Sequence, residues 1–136
     1  MKKNHVGLQA ITLAAMLMLT SLPSEAAELS GAWATDGSMC GKIFAKKGDT
    51  ISFKEASDIV GSGFIVDGKQ LRGKGVRCEI KSKKVEGDFT HLIAACASNI
   101  LLSSVQYSYK AVDENRIARV FPGMEGLEVL YDRCRF

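Results

Sequence analysis

The sequence predicts an all-β fold: a small antiparallel up-and-down barrel of about eight strands, held by two disulfides. Three observations point there. Short runs alternate apolar and polar residues with the two-residue period of a strand. Clusters of turn-forming residues separate those runs. Four cysteines, Cys40, Cys78, Cys96 and Cys134, form an even set in a chain that opens like an exported one.

That opening comes first. Lys2 and Lys3 precede an apolar core from Ala10 to Leu19, and Pro23 with Ser24-Glu25-Ala26 supplies a helix stop and a cleavage pattern. Residues 1–26 therefore read as a secretory signal peptide, and residues 27–136 as a single β-barrel domain. The apolar core is too short to cross a bilayer, which takes roughly 20 apolar residues. The expected product is periplasmic or secreted, not membrane-spanning, and a monomer. Removing Lys2, Lys3 and Glu25 from 18 basic and 15 acidic residues leaves 16 against 14. So mild a balance points to no nucleic-acid partner.

The first stretch that looks folded is LSGAWATDGSMC, residues 29–40, read as the opening strand running up to Cys40. TISFKE then places Ile51 and Phe53 on one face, with Ser52 and Lys54 on the other. GSGF, residues 61–64, reads as a bulge or a flexible strand entry; it lacks the third glycine of a dinucleotide fingerprint. VRCEIKSK sets Val76, Cys78 and Ile80 opposite Arg77, Glu79 and Lys81. HLIAACASNILLSSV is apolar on both faces and also fits a helix, but Ser98-Asn99 reads as a break between strands. SVQYSYKA sets Val105, Tyr107 and Tyr109 inward, and LEVLYDRCRF does the same for Leu127, Val129 and Tyr131. With Ile51, Phe53, Phe64 and Val66 these form the expected core. Turn chemistry stands at Lys47-Gly48-Asp49, Val66-Asp67-Gly68, Glu86-Gly87-Asp88, Asp113-Glu114-Asn115 and Pro122-Gly123.

The cysteines fit the strand reading. If residues 76–98 form a hairpin turning on Gly87, Cys78 faces Cys96 directly, with Ile80 opposite Ala94 and Ser82 opposite Leu92. Opposed antiparallel residues have Cα atoms about 4.5 or 5.5 Å apart, within disulfide reach. Cys40 is then left with Cys134. First and last strands are neighbours in a closed meander, so that bond would join the two ends of the ribbon.

Chemistry is sparsely supplied. No two cysteines have zinc-ligand spacing, and His91 is the only histidine after residue 26, so neither a metal nor another cofactor is expected. In the hairpin register above, His91 opposes Lys83. No G-x-S-x-G elbow is present, and the carboxylates are scattered. No catalytic residue is assigned, and the reading is non-enzymatic. The strongest surface feature is the basic run from Lys69 to Lys84, whose alternation sends Arg77, Lys81 and Lys83 to one face. That patch could suit an anionic partner, but the reading favoured is an ordinary solvated face that blunts a sheet edge.

Gly31-Ala32-Trp33, at the head of the first strand, resembles the G-x-W opening of the calycin barrels: the lipocalins, the avidin-like proteins and the bacterial metalloprotease inhibitors of the serralysin-inhibitor type. The last group is nearest in local wording, with LSG-x-W and a cysteine soon afterwards, as Leu29 to Trp33 and Cys40 stand here. The resemblance implies a barrel plugged at one end by Trp33, with Arg133 or Arg135 packed over the indole as a cation–π contact. Two features depart from the inhibitors. Cleavage after Ala26 leaves four residues before Gly31, too few for the trunk those proteins insert into a protease, and two disulfides stand in place of one. The chain is also similar to a small exported four-cysteine family of bacteria, which implies no activity. The expected function is a lipocalin-like binding or inhibitory module for a small apolar ligand or an extracytoplasmic partner protein. The alternatives are a small hydrolase using His91 and a structural envelope protein without a ligand.

Overall fold

Every run with period-two alternation forms a strand. The computed structural model describes residues 28–136; the signal-peptide reading of residues 1–26 lies outside the described residues. In chain order the strands are β1 (Gly31–Ala34), β2 (Phe44–Lys47), β3 (Thr50–Phe53), β4 (Gly63–Asp67), β5 (Gln70–Gly73), β6 (Val76–Glu86), β7 (Phe89–Ala97), β8 (Leu102–Asp113), β9 (Arg116–Val120) and β10 (Glu128–Arg133). Eight of them close a barrel in the order β1-β10-β9-β8-β7-β6-β5-β4, with β4 returning to β1 and every pairing antiparallel. Two one-turn helices, α1 (Cys40–Ile43) and α2 (Ser57–Val60), flank the β2–β3 hairpin, which stands outside the barrel. The ambiguous apolar run is strand up to Ala97, breaks over residues 98–101 and resumes at Leu102.

Two cores hold this together. The barrel lumen contains Trp33, Phe64, Val66, Leu71, Cys78, Leu92, Cys96, Tyr109, Ile117 and Tyr131. The second core lies under the side hairpin, where Ala32, Ala34 and Ile65 meet Ile43, Phe44 and the Cys40–Cys134 bridge. A strand covered on both faces carries apolar residues at successive positions. This explains GAWA in β1 and FIV in β4, buried on both sides. Ile51 and Phe53 pack on the second core and not in the lumen, because β2–β3 forms its own sheet. Leu127 precedes β10 and stands 50% exposed, so it too leaves the expected core. Gly63 marks the tight crossing of β4 over β1: a Cβ there would sit 2.3 Å from the Trp33 carbonyl oxygen.

Both disulfides form as expected, Cys78–Cys96 across β6–β7 and Cys40–Cys134 between the chain's two ends. Cys40 is in α1, not in a strand. Asp36 accepts from the Ser38 amide at 2.9 Å and so caps a 3₁₀ turn over Gly37–Met39, which leads directly into α1. The β6–β7 register holds at Cys78–Cys96 and Ile80–Ala94, then slips by one. Gly87 and Asp88 form a two-residue loop, with Glu86 opposite Phe89, so β6 has one residue too many. A bulge at Lys81 absorbs it. Ser82 consequently pairs with Ile93, Lys83 with Leu92, and Lys84 with His91.

Candidate functional site: the open mouth of the barrel

The two ends of the barrel differ. One is sealed. Trp33, fully buried, donates from its indole Nε1 to the Leu29 carbonyl at 2.9 Å. Its cross-strand partner Arg133 lies over the ring at 4.2 Å. The guanidinium donates to the carbonyls of Glu28, Ser30 and Glu114, so residues 28–30 are drawn across that end. Arg135 instead binds the Asn115 side chain.

The other end opens into a cavity of about 350 Å³. Its walls follow from strand parity: Tyr107 and Tyr109 of β8, Tyr131 of β10 and Phe64 of β4 all point inward. Phe64 is the hub, 5.4 Å from Tyr109 and 5.0 Å from Tyr131 between ring centres. The Tyr107 hydroxyl lies 3.7 Å from both sulfurs of Cys78–Cys96; with no S–H in a disulfide, the phenol is the donor. Burial pushes the pKa of Tyr107 and, more strongly, of Tyr109 above the usual phenol range; Arg119 opposes the shift in both. Both are neutral phenols at ordinary pH.

Arg119 gives this mouth its character. It stands opposite Tyr109 and Val129, so it shares their inward face. Its guanidinium lies 4.7 Å from the Tyr107 ring centre and 4.8 Å from that of Phe121. Among the described residues no carboxylate is within ion-pair distance of it. A cation stacked between aromatic faces keeps its in-plane N–H donors free.

The short α2 forms the opposite lip. Ala56, just before it, adopts a left-handed backbone at φ 55°, unusual for a residue with a side chain. Next comes Ser57, 2% exposed, a residue of the mouth's wall whose buried Oγ has no hydrogen-bond partner among the described residues; Thr90 Oγ1 in β7 is the other such atom. A buried hydroxyl without a partner is uncommon, and strained backbone gathers at functional positions. Arg119 and Ser57 both escaped the sequence reading. For Arg119 a signal existed: in RIARV it occupies the same alternation face as Ile117.

The sequence-derived surface patch is not one face. Lys81 sits on the bulge and pairs with Glu79 at 2.7 Å. Beyond the bulge Lys83 falls opposite Leu92, and with Lys81 it lines a cleft of about 240 Å³ at the sealed end. Arg77 lies near the open end, at the start of β6, and the extra residue reverses the alternation between it and Lys83. His91 is on the outer wall. Its Nδ1 is 2.9 Å from Ser108 Oγ and its Nε2 3.4 Å from Glu86. Ser108 is 1% exposed, and none of the three lines the mouth. Among the described residues no group of His, Cys, Asp and Glu could hold a metal ion, and no helix is long and apolar enough to cross a membrane. Comparison with protein-family models, curated proteins and solved structures finds no match for this chain.

Proposed function

We propose that this protein is an exported, non-enzymatic binding module that holds a small, largely apolar molecule in the open mouth of its barrel. The single observation that carries the reading is a tyrosine-lined cavity with an unpaired guanidinium at its wall. Small-molecule sites are concave and mostly apolar, with a few placed polar groups, and begin near 300 Å³. Arg119 and Lys74 supply such groups against one lining carboxylate, Asp58, and this cationic excess favours a ligand with one acidic end. Two disulfides suit an oxidising compartment, in keeping with a periplasmic or secreted home.

Titration with decanoate and with decanol tests this. Decanoate should bind, and Arg119→Gln should weaken it roughly tenfold, the worth of one charge-assisted hydrogen bond, while decanol changes little. Equal binding of acid and alcohol by the unaltered protein would remove Arg119 from the reading. A mouth that takes up neither would end it.

A second reading, a partner protein gripped by the rim, has one observation in its favour. The most exposed large apolar side chains are Ile100 (95%) between β7 and β8, Ile59 (81%) in α2 and Leu102 (81%) at the start of β8, all at the open end. A photo-reactive residue at position 100 would then cross-link to another protein in the host. If instead turnover of an ester substrate were found and lost in His91→Ala, the hydrolase alternative would replace both.

A further inference from the structure

We infer that the outer face of the β5–β6 hairpin, next to the mouth, carries a second site for a phosphate or sulfate group. The basic run supplies the argument. Of its seven cations, four have an acid at hand: Lys81 pairs with Glu79, Lys84 with Glu86, and the charges of Lys69 and Lys83 act on Glu79 and Glu28. The three without one are Arg72, Lys74 and Arg77, and these three line a single groove of about 530 Å³. No carboxylate lines it. Asp49 and Asp67 share a smaller cleft on the far side of Arg72, and neither is within ion-pair distance.

The arrangement opposes folding unless something anionic offsets it. Arg72 and Arg77 are direct cross-strand partners. Like charges placed opposite each other destabilise a sheet. Yet two of the three cations are held in position. Arg72 donates to the Ile51 carbonyl at 3.0 Å and Lys74 to the Lys54 carbonyl at 2.9 Å, so the side hairpin fixes both against the barrel. Each retains further N–H donors. Ser52, Ser98 and Asn99 add neutral polar groups to the walls, and Gly75 (φ 77°) leaves its backbone open, with nothing within 4 Å of where a Cβ would stand. Fixed cations, neutral donors and bare backbone are what a tetrahedral oxyanion needs. The groove exceeds a bare anion in size, so a sugar-borne group fits it as well as a free one.

Amide chemical-shift titration at low salt tests the assignment, with inorganic phosphate, glucose 1-phosphate and neutral glucose as probes. Both anions should saturate shifts at Gly75 and Ser98; glucose should not. Tighter binding of the ester marks a sugar-borne group, and equal binding marks the free anion. Arg77→Gln and Lys74→Gln should each weaken binding roughly tenfold, whereas Lys81→Gln, already paired, should leave it unchanged. No saturable shift at millimolar phosphate ester, or equal loss in Lys81→Gln and Arg77→Gln, would overturn it. Phe53, Gly73, Lys74 and Val76 line both the groove and the mouth, so the two are told apart at residues that line only the groove: decanoate should shift the Tyr107–Tyr109 region and leave Arg77 and Ser98 in place.

Discussion

The two disulfides close loops of very different length, and that difference can be measured. Cys40–Cys134 spans 94 residues and Cys78–Cys96 spans 18. Loop-closure entropy gives about 4.7 kcal/mol for the first and about 3.2 for the second at 25 °C. Replacing each pair by alanine removes two sulfurs from a buried place in either case, since all four cysteines are at most 9% exposed. The lost packing is therefore similar and largely cancels in the comparison. What remains is about 1.5 kcal/mol, set by the ratio of loop lengths. Guanidinium unfolding of the oxidised protein, of Cys40→Ala/Cys134→Ala and of Cys78→Ala/Cys96→Ala measures it. The long-range pair should cost more, and its variant should show the larger rise in denaturant dependence as its unfolded chain expands. If the Cys78–Cys96 variant costs as much or more, unfolded-state entropy is not what these bridges contribute, and lumen packing around Tyr107 takes its place.

Two further outcomes bear on the sealed end. Arg133→Gln removes three donations to carbonyls and the cation over Trp33; for partly exposed contacts the loss should be about 2 kcal/mol, read as a lower unfolding midpoint with a red-shifted emission from the only tryptophan. Unchanged emission would show that the arginine does not cover the indole. Asp132 is held below its ordinary 3.8 by the Arg116 guanidinium at 2.7 Å and then by the Gly37 amide. A depressed native value adds stability above the unfolded value that is lost as pH falls through the native one. The midpoint of the unaltered protein should therefore drop more between pH 6 and pH 3 than that of Asp132→Asn, and parallel curves would refute the linkage.

What was legible in the sequence depended on local information. Cys78 and Cys96 were readable as partners because alternation and a central glycine fix a hairpin without reference to the rest of the chain. The inward tyrosines of β8 were readable for the same reason. Two features were not. The bulge at Lys81 arises because the loop takes two residues and not three, a choice that Glu86-Gly87-Asp88 does not declare; one residue then moved Lys83 to the other face and His91 from Lys83 to Lys84. TISFKE read correctly as a strand, yet alternation cannot say which sheet a strand joins. Ile51 and Phe53 therefore went to a second core that no local pattern announces. The same limit hid the groove, since Arg72 and Arg77 become neighbours only when β5 pairs with β6.

The seam of the barrel explains why its two ends differ. β1 has four residues, and only Trp33 and Ala34 are in register with β10, against four pairs on the β4 side. Two pairs are a weak closure for a sheet whose longest strands, β6, β7 and β8, run to nine or more residues. Three successive residues compensate there. Asp132 accepts from the Gly37 amide, Arg133 fastens residues 28–30 over Trp33, and Cys134 bonds Cys40 while its amide donates to Ala32 at 2.8 Å. Each attachment uses a different chemistry, so no single change of pH, salt or redox state releases all three. With the seam fixed near the sealed end, the open end carries no closure duty. It is free to hold an unpaired arginine and exposed apolar side chains, which fasten nothing. Damage to the seam should therefore lower stability and leave the acid preference of the mouth unchanged, whereas Arg119→Gln should do the reverse.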